Sequence, residues 1–161
     1  IQPMRLALLL ICLAAPASAL PVCKPDQLSL GFDAENGNFD GMSHSGTLLV
    51  LRNLGPAPCQ LPAFPTLALE TAKGEPLPIQ PTRQGSAAPV RLAAGAEATA
   101  GLYWVSSPVY SHNRCLKPAQ LRLSWPGGNL HQIFTGTLCG PDNAPASLTQ
   151  PPLALDPPPP G

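Results

Sequence analysis

Charge is what this sequence has least of. Only 11% of its 161 residues are Asp, Glu, Lys or Arg, and nine of each sign cancel to a formal net charge of zero. A nucleic-acid surface needs an excess of basic groups to displace counterions from phosphates, and none is available here. A polybasic patch for anionic lipid is excluded on the same ground. Aromatic side chains make up 5%, too few for a platform that stacks single strands or sugars. Close cysteine pairs of the C-x-x-C kind are missing, which removes the usual zinc frameworks. No catalytic or cofactor motif stands out either, so the sequence points to no cofactor and no enzymatic activity.

What is present describes an exported β protein. The length suits one ordinary domain. The 23 prolines and 14 glycines are too many for a helical protein, while 44% hydrophobic residues suffice for a core. Met4-Arg5 is followed by an apolar run over 6–15 and by Ala17-Ser18-Ala19. Basic start, short apolar stretch and small-x-small site read as an export signal over residues 1–19, cleaved after Ala19. On this reading Ile1 to Pro3 would precede the natural start, Met4, or come from a non-native addition or an upstream mis-start. The apolar run is too short to span a bilayer, which takes roughly 20 residues. Lipid attachment at Cys23 would want a small residue before it, and Val22 is not small. The expected domain covers residues 20–140. Residues 141–161 read as a Pro-rich disordered tail with polyproline II tendency and no core to join.

Removing the signal removes Cys12 and leaves Cys23, Cys59, Cys115 and Cys139. An even number in an exported chain reads as two disulfides, with three pairings open. The strand pattern favours one. Residues 27–32 alternate, with Leu28, Leu30 and Phe32 on one face; 46–53 form a second, branched apolar strand ended by Asn53-Leu54-Gly55-Pro56. A hairpin of these two would bring Cys23 and Cys59 together beyond its open end. Further strands are expected at 64–70, 77–80, around Val90 and Leu92, and at 96–105. Residues 106–117 read as a loop. Gln120 to Trp125 should turn at Pro126-Gly127-Gly128-Asn129 and return over 130–138. Cys115 and Cys139 lie about equally far from that turn and would meet at the open end. The favoured pairs are therefore Cys23–Cys59 and Cys115–Cys139.

The order of features resembles a bacterial exported family, the domain of unknown function DUF4232. The residues that carry the resemblance are Cys23; Asn53, Gly55, Cys59, Leu61, Phe64 and Pro65; Gly74; Leu92 and Gly95; Trp104; Cys115; and Cys139. Ala63-Phe64 stands where the family pattern has Gly-Tyr, and Ala94 where it has Pro; both departures touch turn chemistry. The resemblance implies an all-β, immunoglobulin-like antiparallel β-sandwich with two disulfides. It implies no activity.

Few residues could carry chemistry. His44 and Ser45 are neighbours near Asp40, but adjacent residues of an extended chain face opposite ways and would not form a nucleophile–base pair. Asp33, Glu35 and Asp40 share a loop without the dense ligand alternation of a Ca²⁺ site. Met42 and His44, two apart, would project to one side of an extended segment, and thioether plus imidazole suits copper in an oxidising compartment. His112 and His131 would have to join them. The loop from Ser106 to Arg114 mixes Tyr110, His112, Asn113 and Arg114, the palette of protein-recognition loops. The sequence therefore favours an exported binding module of the cell envelope with an unknown protein or envelope partner. An extracytoplasmic copper-binding protein and an exported hydrolase inhibitor are the alternatives.

Overall fold

The computed structural model describes residues 2–3, 11 and 20–160. The expected export signal and Cys12 fall outside the described residues, Gln2, Pro3 and Ile11 apart. Among the described residues no helix is long and apolar enough to cross a membrane.

The expected alternation at the start is realised. β1 (Leu28–Asp33) buries Leu28 and Leu30, and β2 (His44–Asn53) buries Thr47, Leu49, Leu51 and Asn53. The two pair antiparallel, with Leu30 opposite Leu51. A period-2 apolar pattern can bury only one face of a sheet, and the register keeps both strands' apolar sets on that face. β3 (Cys59–Leu61), β4 (Thr66–Glu70), β5 (Ile79–Arg83) and β6 (Val90–Leu92) follow. β7 (Glu97–Val105) is the long central strand, with Ala98, Ala100, Leu102 and Trp104 buried in strict alternation. Then come β8 (Asn113–Leu116), β9 (Gln120–Trp125), β10 (Gly128–Ile133), β11 (Leu138–Pro141), β12 (Ala146–Gln150) and β13 (Ala154–Asp156).

The main sheet runs β1-β2-β7-β12-β5, and β13 also pairs with β7. A three-stranded sheet, β10-β9-β4, supplies the other layer. Leu49, Leu51, Leu102 and Leu148 of the first sheet and Leu67, Leu69, Leu121 and Leu123 of the second belong to one continuous buried cluster. The fold is all-β, with sandwich-like sheets. Two short ribbons, β3/β6 and β8/β11, complete it.

Both favoured disulfides are present, Cys23–Cys59 and Cys115–Cys139. Cys23 and Cys59 are fully buried. The Cys23 N–H also donates to the Gln60 carbonyl (3.0 Å), so the bridge lies where the N-terminal segment joins β3.

Three expectations need correction. The first concerns residues 141–161, expected as a tail without a core. Ala146, Leu148 and Gln150 alternate into the interior, and β12 lies in the middle of the main sheet, parallel to β5 and antiparallel to β7. Pro151-Pro152 offers no N–H to the ladder, so the chain leaves β7 there and rejoins it as β13, opposite Thr99, Ala98 and Glu97. The second is the return strand over 130–138. β10 stops at Ile133, because Phe134 turns into the core and is 4% exposed. Leu138 already belongs to β11, whose partner is β8. The third follows from it: the loop expected over 106–117 ends in strand β8. Cys115 and Cys139 therefore face each other across that separate ribbon, and not at the mouth of the β9–β10 hairpin.

One buried charge holds the second sheet. Glu70 is 5% exposed and accepts hydrogen bonds from Arg122 Nε (3.1 and 3.2 Å) and Gln120 Nε2 (2.9 Å). Removing the cation strands a carboxylate in the interior. Arg122→Met is expected to cost about 2 kcal/mol of stability, because Gln120 still donates and Arg122 is only partly buried. Adding Glu70→Gln should recover part of that loss. Urea unfolding midpoints of the two variants check this.

Candidate functional site

One end of the main sheet carries three exposed apolar side chains on its loops; Leu54, at the far end of β2, and Ile133, on β10, are exposed elsewhere. His44 opens β2 opposite Val105, the last residue of β7. Just beyond, the Ser106 N–H donates to the Ser43 carbonyl (2.9 Å), tying the β1–β2 loop to the β7–β8 loop. Met42 on the first loop is fully exposed, and Val109 (54%) and Tyr110 (41%) stand out on the second.

The β7–β8 loop is built to hold its tip still. The Asn113 amide brackets Tyr110: its Oδ1 accepts from the Tyr110 N–H (2.9 Å) and its Nδ2 donates to the Tyr110 carbonyl (2.5 Å). The Asp142 N–H donates to the His112 carbonyl (3.0 Å), and Arg114 Nη2 donates to the Ala144 carbonyl (3.3 Å). Cys115–Cys139 locks the ribbon underneath. Of the four loop residues singled out from sequence, Tyr110 and His112 are exposed, while Asn113 and Arg114 brace the loop from within. Val109, at the tip beside Tyr110, was not singled out. A lone aliphatic residue in a polar loop gives no signal of its exposure.

The β1–β2 loop is seated by glycine. Phe39 lies over Gly46 of β2 and Gly101 of β7 on the outer face of the sheet. A Cβ at Gly46 would come within 2.9 Å of Phe39 Cδ1, and one at Gly101 within 3.2 Å of Phe39 Cε1. Beside this seat an open depression of about 590 Å³ is lined by Phe39, His44, Tyr103, Val105 and Thr149. The Tyr103 hydroxyl donates to Gln84 Oε1 (3.3 Å) at its edge.

The other sequence candidates are placed as follows. Met42 and Ser43 form a bend ahead of β2, so Met42 and His44 do not share one extended segment. His44 lies over Gly41, whose N–H donates to the His44 carbonyl (2.9 Å). His112 is on the tip and His131 on β10 of the other sheet. Among the described residues no three His, Cys, Asp or Glu side chains form a group able to hold a metal ion, and Asp33, Glu35 and Asp40 are no exception. Ser45 Oγ donates to Asp40 Oδ1 (2.6 Å). Its neighbour His44 points to the opposite face, as alternation requires.

A sequence model of the family described as "Domain of unknown function (DUF4232)" matches residues 23–153. The chain belongs to this family. The match begins at the first bridged cysteine and ends beyond β12, so the DUF4232 domain includes the strand that composition had assigned to a tail. Asn53, the first residue of the Asn-x-Gly segment that carried the resemblance, is fully buried at the end of β2 of this DUF4232 domain. No curated protein matches the chain, and no solved structure does.

Proposed function

We propose that the protein is a non-enzymatic binding module of the bacterial cell envelope that docks a protein partner through the β7–β8 tip. The bracketing of Tyr110 by Asn113 carries this reading. A loop already fixed in one conformation loses little entropy on association, and exposed Tyr and Val then supply apolar contact area. The 590 Å³ depression beside Phe39 and Tyr103 is continuous with the same end of the sheet and offers room for a partner side chain. Two disulfides fit an oxidising compartment, the periplasm or the exterior, reached through the export signal. The immunoglobulin-like reading of the sandwich belongs to this proposal. It draws support from Trp125, which is buried and donates to the Cys23 carbonyl (2.7 Å) beside the first disulfide.

An inhibitor of exported hydrolases would use the same rigid loop, and that loop is the observation that favours it as a second reading. A panel of purified proteases separates the two, since only an inhibitor slows one of them.

The test is affinity capture from envelope extract with the wild-type protein and with Val109→Ser/Tyr110→Ala. Both changes are on the surface and should leave the unfolding free energy within about 0.5 kcal/mol of wild type. Truncating a tip that anchors an interface is expected to weaken capture of the partner at least roughly tenfold, the effect of losing about 1.4 kcal/mol or more. Equal capture by both proteins would remove the tip from the account.

A further inference from the structure

The two disulfides differ in what surrounds them. Cys23 and Cys59 are fully buried and belong to the core cluster. In the second pair Cys139 is 2% exposed, while Cys115 is exposed. A cysteine side chain is one methylene and one sulfur, so exposure of Cys115 leaves that side of the bridge open to a reagent in solvent. Thiol–disulfide exchange begins when a thiolate reaches a disulfide sulfur, and access sets its rate.

The strands joined by this bridge are held very unequally. β11 is anchored. Leu138 is a fully buried member of the core cluster, and a Cβ on Gly140 would come within 2.8 Å of the Ala146 Cα in β12. Among the described residues β8 pairs with β11 alone, and none of its four residues is buried. Two strands by themselves pair marginally in water. Pro141, opposite Asn113, has no N–H to add to the ladder. Leu116 packs partly against the core and tethers β8 at the end away from the tip. The other end of β8 leads into the tip. Its braces, from Asp142 to the His112 carbonyl and from Arg114 to the Ala144 carbonyl, both reach across to the chain just after β11. They hold only while the two strands stay together, and Cys115–Cys139 is the covalent tie between them.

We propose that Cys115–Cys139 is a site of reduction, opened by a protein dithiol of the thiol–disulfide oxidoreductase class, and that opening it frees β8 and loosens the tip. A thiolate of the dithiol attacks Cys115 Sγ and forms a mixed disulfide. The bond to Cys139 Sγ breaks, and Cys139 leaves as a thiolate that takes up a proton. The second thiol of the reductant then attacks its own sulfur in the mixed disulfide, closing the reductant's disulfide and releasing the Cys115 thiol. Two electrons pass from the dithiol, which is oxidised, to the cysteine pair, which is reduced. Control of docking by this step rests on the tip reading above; the reduction and the release of β8 do not.

Graded reduction of the native protein with dithiothreitol and with reduced thioredoxin, quenched with iodoacetamide and mapped by peptide mass spectrometry, tests the chemistry. Cys115 and Cys139 are expected to open at least about tenfold faster than Cys23 and Cys59 with both reductants. Equal rates, or a Cys115–Cys139 bridge that thioredoxin leaves closed, would overturn the proposal. Hydrogen exchange of the protein held under the same reductant is expected to rise at least about tenfold at 109–116 and to stay unchanged in β2 and β12. Cys115→Ser/Cys139→Ser should show that pattern without reductant. Unchanged exchange at 109–116 in both would overturn the release of β8. Capture from envelope extract should then fall at least about fivefold on reduction. Capture that Val109→Ser/Tyr110→Ala leaves intact would sink the tip reading alone, since the first two readouts involve no partner. Capture that the tip variant loses and reduction leaves intact would overturn the control of docking.

Discussion

Replacing Cys23 and Cys59 by alanine is expected to cost about 4–5 kcal/mol of stability, against about 3 kcal/mol for the Cys115/Cys139 pair. Loop length does not decide this difference. The bridged residues are 36 and 24 apart, and loop-closure entropy gives about 3.8 and about 3.4 kcal/mol for such loops. Burial decides it. Cys23 and Cys59 are fully buried members of the core cluster, so their loss also leaves unfilled space and loosens the N-terminal segment that meets Gln60. Cys139 is buried as well, but Cys115 is exposed on its ribbon and neither belongs to the core cluster. The second loss should instead be local, raising amide exchange at 109–113, where the bridge supports the tip. Denaturant unfolding of the two double variants checks the ranking, and hydrogen exchange checks the locality.

Asn53→Leu is expected to lower stability by about 3 kcal/mol, a fall of roughly 6–12 °C in Tm for a domain of this size. Asn53 is fully buried where β2 ends. Its Oδ1 accepts from the Gly55 N–H (2.8 Å), and its Nδ2 donates to the carbonyls of Leu92 (3.0 Å) and Ala57 (2.9 Å). One side chain thereby ties the end of β2, the turn after it and β6. Leucine keeps the branched shape, at a somewhat larger volume, and removes every one of these bonds. The Ala57 carbonyl retains a donor in Gln27 Nε2 (2.8 Å), which keeps the estimate near 3 kcal/mol. At the next position Leu54 is 61% exposed, and Leu54→Asn should change stability by less than about 0.5 kcal/mol. Thermal melts of the two variants make the comparison.

Much of the scaffold was readable because its alternation is local. β1, β2, β7 and β9 each bury every second residue, and that period survives in the sequence whatever the strands pair with. Cys23–Cys59 followed from placing the cysteines against β1 and β2; Cys115–Cys139 was paired correctly, but for a hairpin mouth that it does not close. β12 shows where the reading fails. Ala146, Leu148 and Gln150 alternate as well, but prolines on both sides dominate the local composition. Only the tertiary position reveals that those prolines fall where the ladder needs no N–H. Phe134 fails for another reason: a single aromatic residue that turns into the core ends β10 without any turn motif. At the candidate site, Tyr110 and His112 were legible as loop residues. The bracing roles of Asn113 and Arg114 were not, because their partners are backbone atoms that the fold brings up. The contact of Phe32 and Trp104 with Phe134 lay further out of reach, since the three rings come from distant segments.

The claim that the tip is the contact surface is tested most directly by photo-crosslinking in the living envelope. A photoreactive aromatic residue would replace Tyr110 in one strain and Lys73, in the turn after β4, in another. The account predicts a discrete crosslinked species of one partner at position 110, absent at position 73 and lost when Val109→Ser accompanies the probe. Crosslinks of equal pattern and strength at both positions, or a discrete species only at position 73, would contradict it.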